Sequence, residues 1–190
     1  MTRFWHVLVL ASLACVASRV NAEQAPPGAD ADRPAVLRAA REVMQKARYC
    51  AFITLGEDGQ PQARAVDPLG PDDDLTVWVG TSSKTRKVAQ LLKDPRVTLF
   101  YFDAAAPAYV TLIGTAVASS DPAEKAKHWK DEWAPFYKDR HRGPDFVLLK
   151  VTPRRLEIVS QNHGLINDPK TWRPVAIEFP EGVPKQPPGR

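Results

Sequence analysis

The chain has 190 residues, 44% of them hydrophobic and 25% charged, with a formal net charge of +4; this excludes general disorder and fibrous repeats and fits one domain. A domain of this size buries roughly 70% of the surface its unfolded chain exposes, so it needs no disulfide framework. Proline, at 18 residues, is nearly twice the average usage of about 5% and works against long uninterrupted helices.

The N-terminus carries Arg3, an apolar run from Val7 to Ala17, and Val20-Asn21-Ala22 before Glu23. This is the layout of a secretory signal peptide over residues 1–22. As a helix the apolar run rises only about 16 Å against a hydrocarbon core of about 30 Å, so no permanent membrane span is expected. Cleavage near Ala22 predicts an exported protein, periplasmic or secreted. Lipoprotein anchoring through Cys15, preceded by Ser12-Leu13-Ala14, is the poorer match. Cleavage removes Arg3 and Arg19 and no acid, taking the charge from +4 to +2, too slight a basic balance to argue for nucleic acid. It also leaves Cys50 as the only thiol, which rules out an intrachain disulfide. At the head of an apolar run, Cys50 reads as a small buried hydrophobe.

A polar linker, 23–33, leads to helical periodicity in Val36, Leu37, Ala40, Val43, Met44 and Ala47, with Pro34 suited to the first turn. Cys50–Leu55, the Asp58-Gly59 turn and Pro61–Val66 predict a hairpin in which Gln62, Arg64 and Val66 share a face. A strand Leu75–Gly80 follows, then a short helix from near Lys84 that Pro95 stops. Strands are expected over 96–102 and 109–118, and a helix capped by Asp121 that carries Trp129 and Trp133. Two last strands, 146–151 and 155–159, are separated by Pro153, and the tail from Asn162 reads as turns. The fold class is mainly β (α+β), an antiparallel sheet or barrel with short helices.

No glycine-rich phosphate loop follows a strand, the histidines lack zinc-ligand spacing, and no serine sits in a nucleophile elbow. What remains is Gly80-Thr81-Ser82-Ser83-Lys84-Thr85-Arg86-Lys87, which leaves a strand and enters a helix. A helix N-terminus favours an anion, and Thr81, Thr85, Arg86 and Lys87 add donors and charge, with Arg64 reaching in from a neighbouring strand. Cations in a first helical turn oppose the helix dipole unless an anion binds there, which argues against a merely solvated face.

Arg64-Ala65-Val66, Thr81, Thr85-Arg86-Lys87, Asp94-Pro95-Arg96-Val97-Thr98-Leu99-Phe100-Tyr101-Phe102 and Tyr109-Val110-Thr111-Leu112-Ile113-Gly114, in that order, resemble the pyridoxamine 5'-phosphate oxidase-like FMN-binding split barrels, in their general stress protein branch. The resemblance covers 34–160 and leaves 161–190 as a C-terminal extension. It implies a six-stranded split barrel, a homodimer, and FMN at the subunit interface. Arg64 and Lys87 would hold the FMN phosphate beside Arg86, Thr81 and Thr85, and the Val66 backbone would lie near the flavin ring. Tyr109 stands where the oxidases proper begin a strand with glutamine, and Thr171-Trp172-Arg173-Pro174 does not match their substrate motif, so vitamin B6 oxidation is not implied. The expected activity is that of an exported FMN-dependent oxidoreductase with substrate and catalytic residues open; the alternative is a non-catalytic binder of haem, a deazaflavin or free flavin.

Overall fold

The computed structural model describes residues 32–180. The expected signal peptide, Cys15 and nearly all of the expected linker lie outside the described residues, as do residues 181–190.

Helix α1 (Arg33–Ala47) buries Val36, Ala39, Ala40, Val43 and Met44, the 3-4-3-4 spacing of one helical face. It covers β4 (Arg96–Asp103) and β5 (Ala108–Ser119). The hairpin of β1 (Cys50–Leu55) and β2 (Pro61–Val66) pairs Phe52 with Arg64 and Thr54 with Gln62. Its turn depends on Gly59, whose φ of 77° suits a residue without Cβ. The other elements are β3 (Val77–Ser82), α2 (Arg86–Lys93), α3 (Pro122–Lys127), β6 (Phe146–Val159) and β7 (Val175–Glu178). The strands form one antiparallel sheet in the order β2-β1-β4-β5-β6-β3, the expected six-stranded split barrel, and β7 adds a pairing along the second half of β6. No helix among the described residues is long and apolar enough to cross a membrane.

The tail expected to be turns contains β7, which pairs with β6, and β4 and β5 run one residue further than expected at their ends. Four other boundaries differ from the sequence reading. The third strand starts at Val77 rather than Leu75, because Leu75 closes a turn onto Asp72 with φ 61°. Helix α2 starts at Arg86 rather than near Lys84, since β3 runs on to Ser82 and Thr85 becomes the N-cap. Asp121 caps α3 as expected, accepting from the backbone N–H groups of Ala123 and Glu124, but the helix ends at Lys127, so it carries neither Trp129 nor Trp133. Those tryptophans pack with Trp78, Phe146, Leu148 and Tyr137 in a second apolar cluster.

The fourth difference sets the shape of the sheet. The two expected strands around Pro153 are one 14-residue strand, β6. Its ladder with β5 slips between Ile113, opposite Arg155, and Gly114, opposite Pro153, so that Arg154 is the extra residue of a bulge. Proline, which cannot donate to a ladder, is tolerated at such a bulge, and bulges bend a strand and raise its twist. Gly114 permits the close approach: a Cβ there would lie 2.1 Å from the Thr152 carbonyl oxygen. Gly114→Ala is therefore expected to cost about 3 kcal/mol, the upper part of the usual overpacking range, measured as a lower urea midpoint.

Cys50 is buried at the head of β1, and burial pushes its thiol up to about 12. In the native protein it is expected to resist alkylation at about pH 8.5, where an ordinary cysteine is half ionised. It should react at the ordinary rate once urea unfolds the chain.

Candidate cationic site

Alternation along β2 turns Gln62, Arg64 and Val66 toward the less exposed side. Arg64 is held by neutral acceptors alone. Its Nη1 donates to the Phe52 carbonyl at 3.2 Å and to Thr54 Oγ1 at 2.6 Å, and its Nη2 donates to Gln90 Oε1 at 3.1 Å. Gln90 lies on α2, so this last bond ties the helix to β2. Thr54 Oγ1 donates to the same Gln90 oxygen at 2.6 Å, while Gln90 Nε2 donates to Gln62 Oε1 at 2.7 Å and fixes which way the amide faces.

Arg86 and Lys87 stand in the first turn of α2, which contains no acidic residue. The N-cap Thr85 does not cap with its side chain; its hydroxyl donates instead to the Ser82 carbonyl at 2.9 Å. The Val88 N–H donates to the Thr85 carbonyl, while the N–H groups of Arg86 and Lys87 are left uncapped by side chains. Burial and the charge of Arg86 lower the pKa of Arg64, and burial and the charge of Arg64 lower that of Lys87. Among the described residues Arg48, Lys93, Arg96, Arg140 and Arg155 each face a carboxylate, whereas Arg64, Arg86 and Lys87 form no ion pair. Three cations gathered without a counter-charge, beside an uncapped helix start, can bind an anion with several acceptor oxygens.

Of the other expected residues, Thr81 is buried on β3 opposite Val147, four positions before the N-cap of α2. Val66 ends β2 opposite Cys50 and packs on the main core. The structure thus brings Arg64, Arg86 and Lys87 into electrostatic contact and makes Thr85 the helix cap, while Thr81 and Val66 flank this group along their own strands. Sequence reading passed over Thr54 and Gln90. Thr54 had a signal: it is the one polar residue on the Cys50-Phe52-Thr54 face, which is otherwise apolar. Gln90 lies one turn after Arg86, but nothing in the local pattern says that it meets β2.

A cleft of about 770 Å³ adjoins the site, lined by Gly56, Glu57, Gln62, Arg86, Gln90 and Lys93 among others. Lys93 and Glu57 pair across it. Arg86, Gln62 and Gln90 belong both to its wall and to the cationic corner.

The sheet order and curl define an antiparallel split-barrel domain. The sequence model for pyridoxamine 5'-phosphate oxidase matches residues 36–160, and the chain belongs to that family. Solved structures agree on the fold. A Clostridium acetobutylicum protein related to general stress protein 26 of B. subtilis aligns with a TM-score of 0.64 and 23% identity, over 77% of this chain and 96% of that one. General stress protein 26 from Bacillus anthracis aligns at 0.57 and 19% identity, over 65% and 93%. A heme binding protein from Mycobacterium smegmatis aligns at 0.55 and 24% identity, over 67% and 55%. No curated protein matches the chain.

The mutual repulsion at the corner has a measurable cost. Lys87→Gln is expected to stabilise the ligand-free protein by a few tenths to about 1 kcal/mol. The gain should be seen as a raised Tm in phosphate-free buffer and should vanish when phosphate is added, because only the wild type gains from the anion.

Proposed function

We propose that the protein is an exported FMN-binding oxidoreductase that works as a homodimer, with the FMN phosphate held at the α2 corner. The observation that carries this reading is the uncompensated set Arg64, Arg86 and Lys87. A phosphate monoester brings about two negative charges and three strong acceptor oxygens at neutral pH, which matches three cations and the uncapped start of α2. Arg64 uses three of its five N–H donors on protein acceptors and keeps Nε and one Nη2 donor for a bidentate contact.

When bound, the flavin supplies the redox chemistry, and the protein supplies binding, orientation and the local field. Arg64 and Lys87 would fix the phosphate end, and the cleft beside Gln62 and Gln90 offers room for more of the ligand. That cleft is lined by no histidine, cysteine, methionine or tyrosine, so it provides no side chain of the kinds that ligate haem iron. A second copy has a surface to meet. The outer face of the sheet exposes Ala63, Ala65, Phe100 and Phe102, with Ala51 registered beside Phe100 and the Phe100 and Tyr109 rings 5.7 Å apart. A contiguous apolar face of this kind marks an interaction site.

FMN titration tests the reading. Arg64→Ala and Lys87→Ala are each expected to weaken FMN about ten- to a hundred-fold, the value of one charged hydrogen bond, with little effect on riboflavin, which lacks the phosphate. Equal losses for both flavins, or no flavin binding by the wild type, would overturn it; a haem spectrum in protein purified from its native compartment would favour the non-catalytic binder. Since the bound anion needs Lys87 protonated, FMN affinity should fall with rising pH below the ordinary lysine value of about 10.4. Lys87→Arg, charged throughout, should remove that fall.

A further inference from the structure

We propose that Gln90 is a positioning residue for the anion site: it aims the Arg64 guanidinium and, being neutral, leaves its charge free for the ligand. This rests on the phosphate reading above. The geometry is a closed ring of three side chains. Arg64 donates to Thr54 at 2.6 Å and to Gln90 at 3.1 Å, and Thr54 donates to the same Gln90 oxygen at 2.6 Å. The Gln90 amide cannot turn over without cost. Its nitrogen is engaged by Gln62 at 2.7 Å, so the oxygen must face Arg64.

The chemical type of the acceptors matters as much as their positions. A carboxylate at position 90 would satisfy Arg64 and Thr54 equally well, but it would pair with the guanidinium and remove one of three positive charges. An amide oxygen, a hydroxyl and a backbone carbonyl orient the cation and leave it uncompensated, which is why Arg64 still repels its two neighbours. A long arginine side chain on an exposed edge strand would otherwise sample many rotamers, and ordering it in advance removes that entropy cost from binding. Gln90 also lines the adjoining cleft with Gln62. A ligand entering there would meet the bridge that holds Arg64.

The experiment measures FMN and riboflavin affinity and Tm for the wild type, Gln90→Met, Gln90→Glu, Arg64→Ala and the Gln90→Met/Arg64→Ala double variant. Gln90→Met removes the acceptor at similar size and is expected to weaken FMN about tenfold with riboflavin unchanged. In the Arg64→Ala background the same change should cost nothing further, since coupled residues are not additive. Gln90→Glu keeps the acceptors for Arg64 and Thr54 and gives up only the donor to Gln62, so its Tm should stay above that of Gln90→Met, which loses both, while FMN affinity falls by a similar factor; it carries the test if Gln90→Met folds poorly. Equal losses for FMN and riboflavin, or losses that add fully to Arg64→Ala, would show a merely structural role and overturn the proposal. If the wild type and Arg64→Ala differ as expected while both Gln90 variants bind FMN normally, only the role of Gln90 falls. If the wild type itself does not prefer FMN to riboflavin, the phosphate reading falls and this proposal with it.

Discussion

The close approach of β5 to β6 at Gly114 is the constraint on which the rest depends. In the order β2-β1-β4-β5-β6-β3, Arg64 lies on one edge strand, and the cations of α2 follow directly from the strand at the other edge. A flat sheet would hold these edges five strand spacings apart, at roughly 4.8 Å each. The sheet curls instead, and at its centre the two longest strands bend together: Gly114 admits the Thr152 carbonyl, Arg154 is the extra residue, and Pro153 has no N–H to leave unpaired. The curl brings α2 back over β1, and the Arg64–Gln90 hydrogen bond joins β2 to that helix. A backbone contact in mid-sheet thus contributes to the curl that sets Arg64 beside α2.

That corner is built against its own stability. Arg48, Lys93, Arg96, Arg140 and Arg155 each have a carboxylate partner; at α2 the chain instead places Arg86 and Lys87 against the helix dipole and within the field of Arg64. Such repulsion is tolerable because the main core, running from α1 through β1, β3, β4, β5 and β6, is extensive. Sites that destabilise the empty protein are a common cost of function.

Much of this was legible in the sequence because it depends on local rules. The hairpin came from a Gly-containing turn between two alternating runs, and the first helix and the Asp121 cap came from periodicity and N-cap chemistry. The cationic corner was legible because basic residues in a first turn contradict the dipole. What could not be read depends on contacts between distant segments. Pro153 looked like a break because a proline interrupts an isolated ladder, and only the facing Gly114 turns it into a bulge within one strand. Trp129 and Trp133 have the spacing of one helical face, yet they leave the helix to cover Phe146 and Trp78. Gln90 carries no local mark, since its partners lie 26, 28 and 36 positions away.

The two halves of the corner are held by different means. On the β3 side, apolar packing gives rigidity. Trp133 sits so close to Gly80 that a Cβ there would meet its ring at 2.6 Å, Trp78 is stacked on His128 with ring centroids 4.4 Å apart, and the Ser83 N–H donates to the Asp145 carbonyl at 2.8 Å. The start of α2 is therefore fixed from behind. On the β2 side there is no such backing, because β2 is an edge strand whose alternate residues are exposed. A packed wall cannot hold Arg64 there without burying its charge, and a carboxylate cannot hold it without cancelling that charge. Neutral hydrogen-bond acceptors are the remaining physical option, and Thr54, Gln90 and the Phe52 carbonyl supply them.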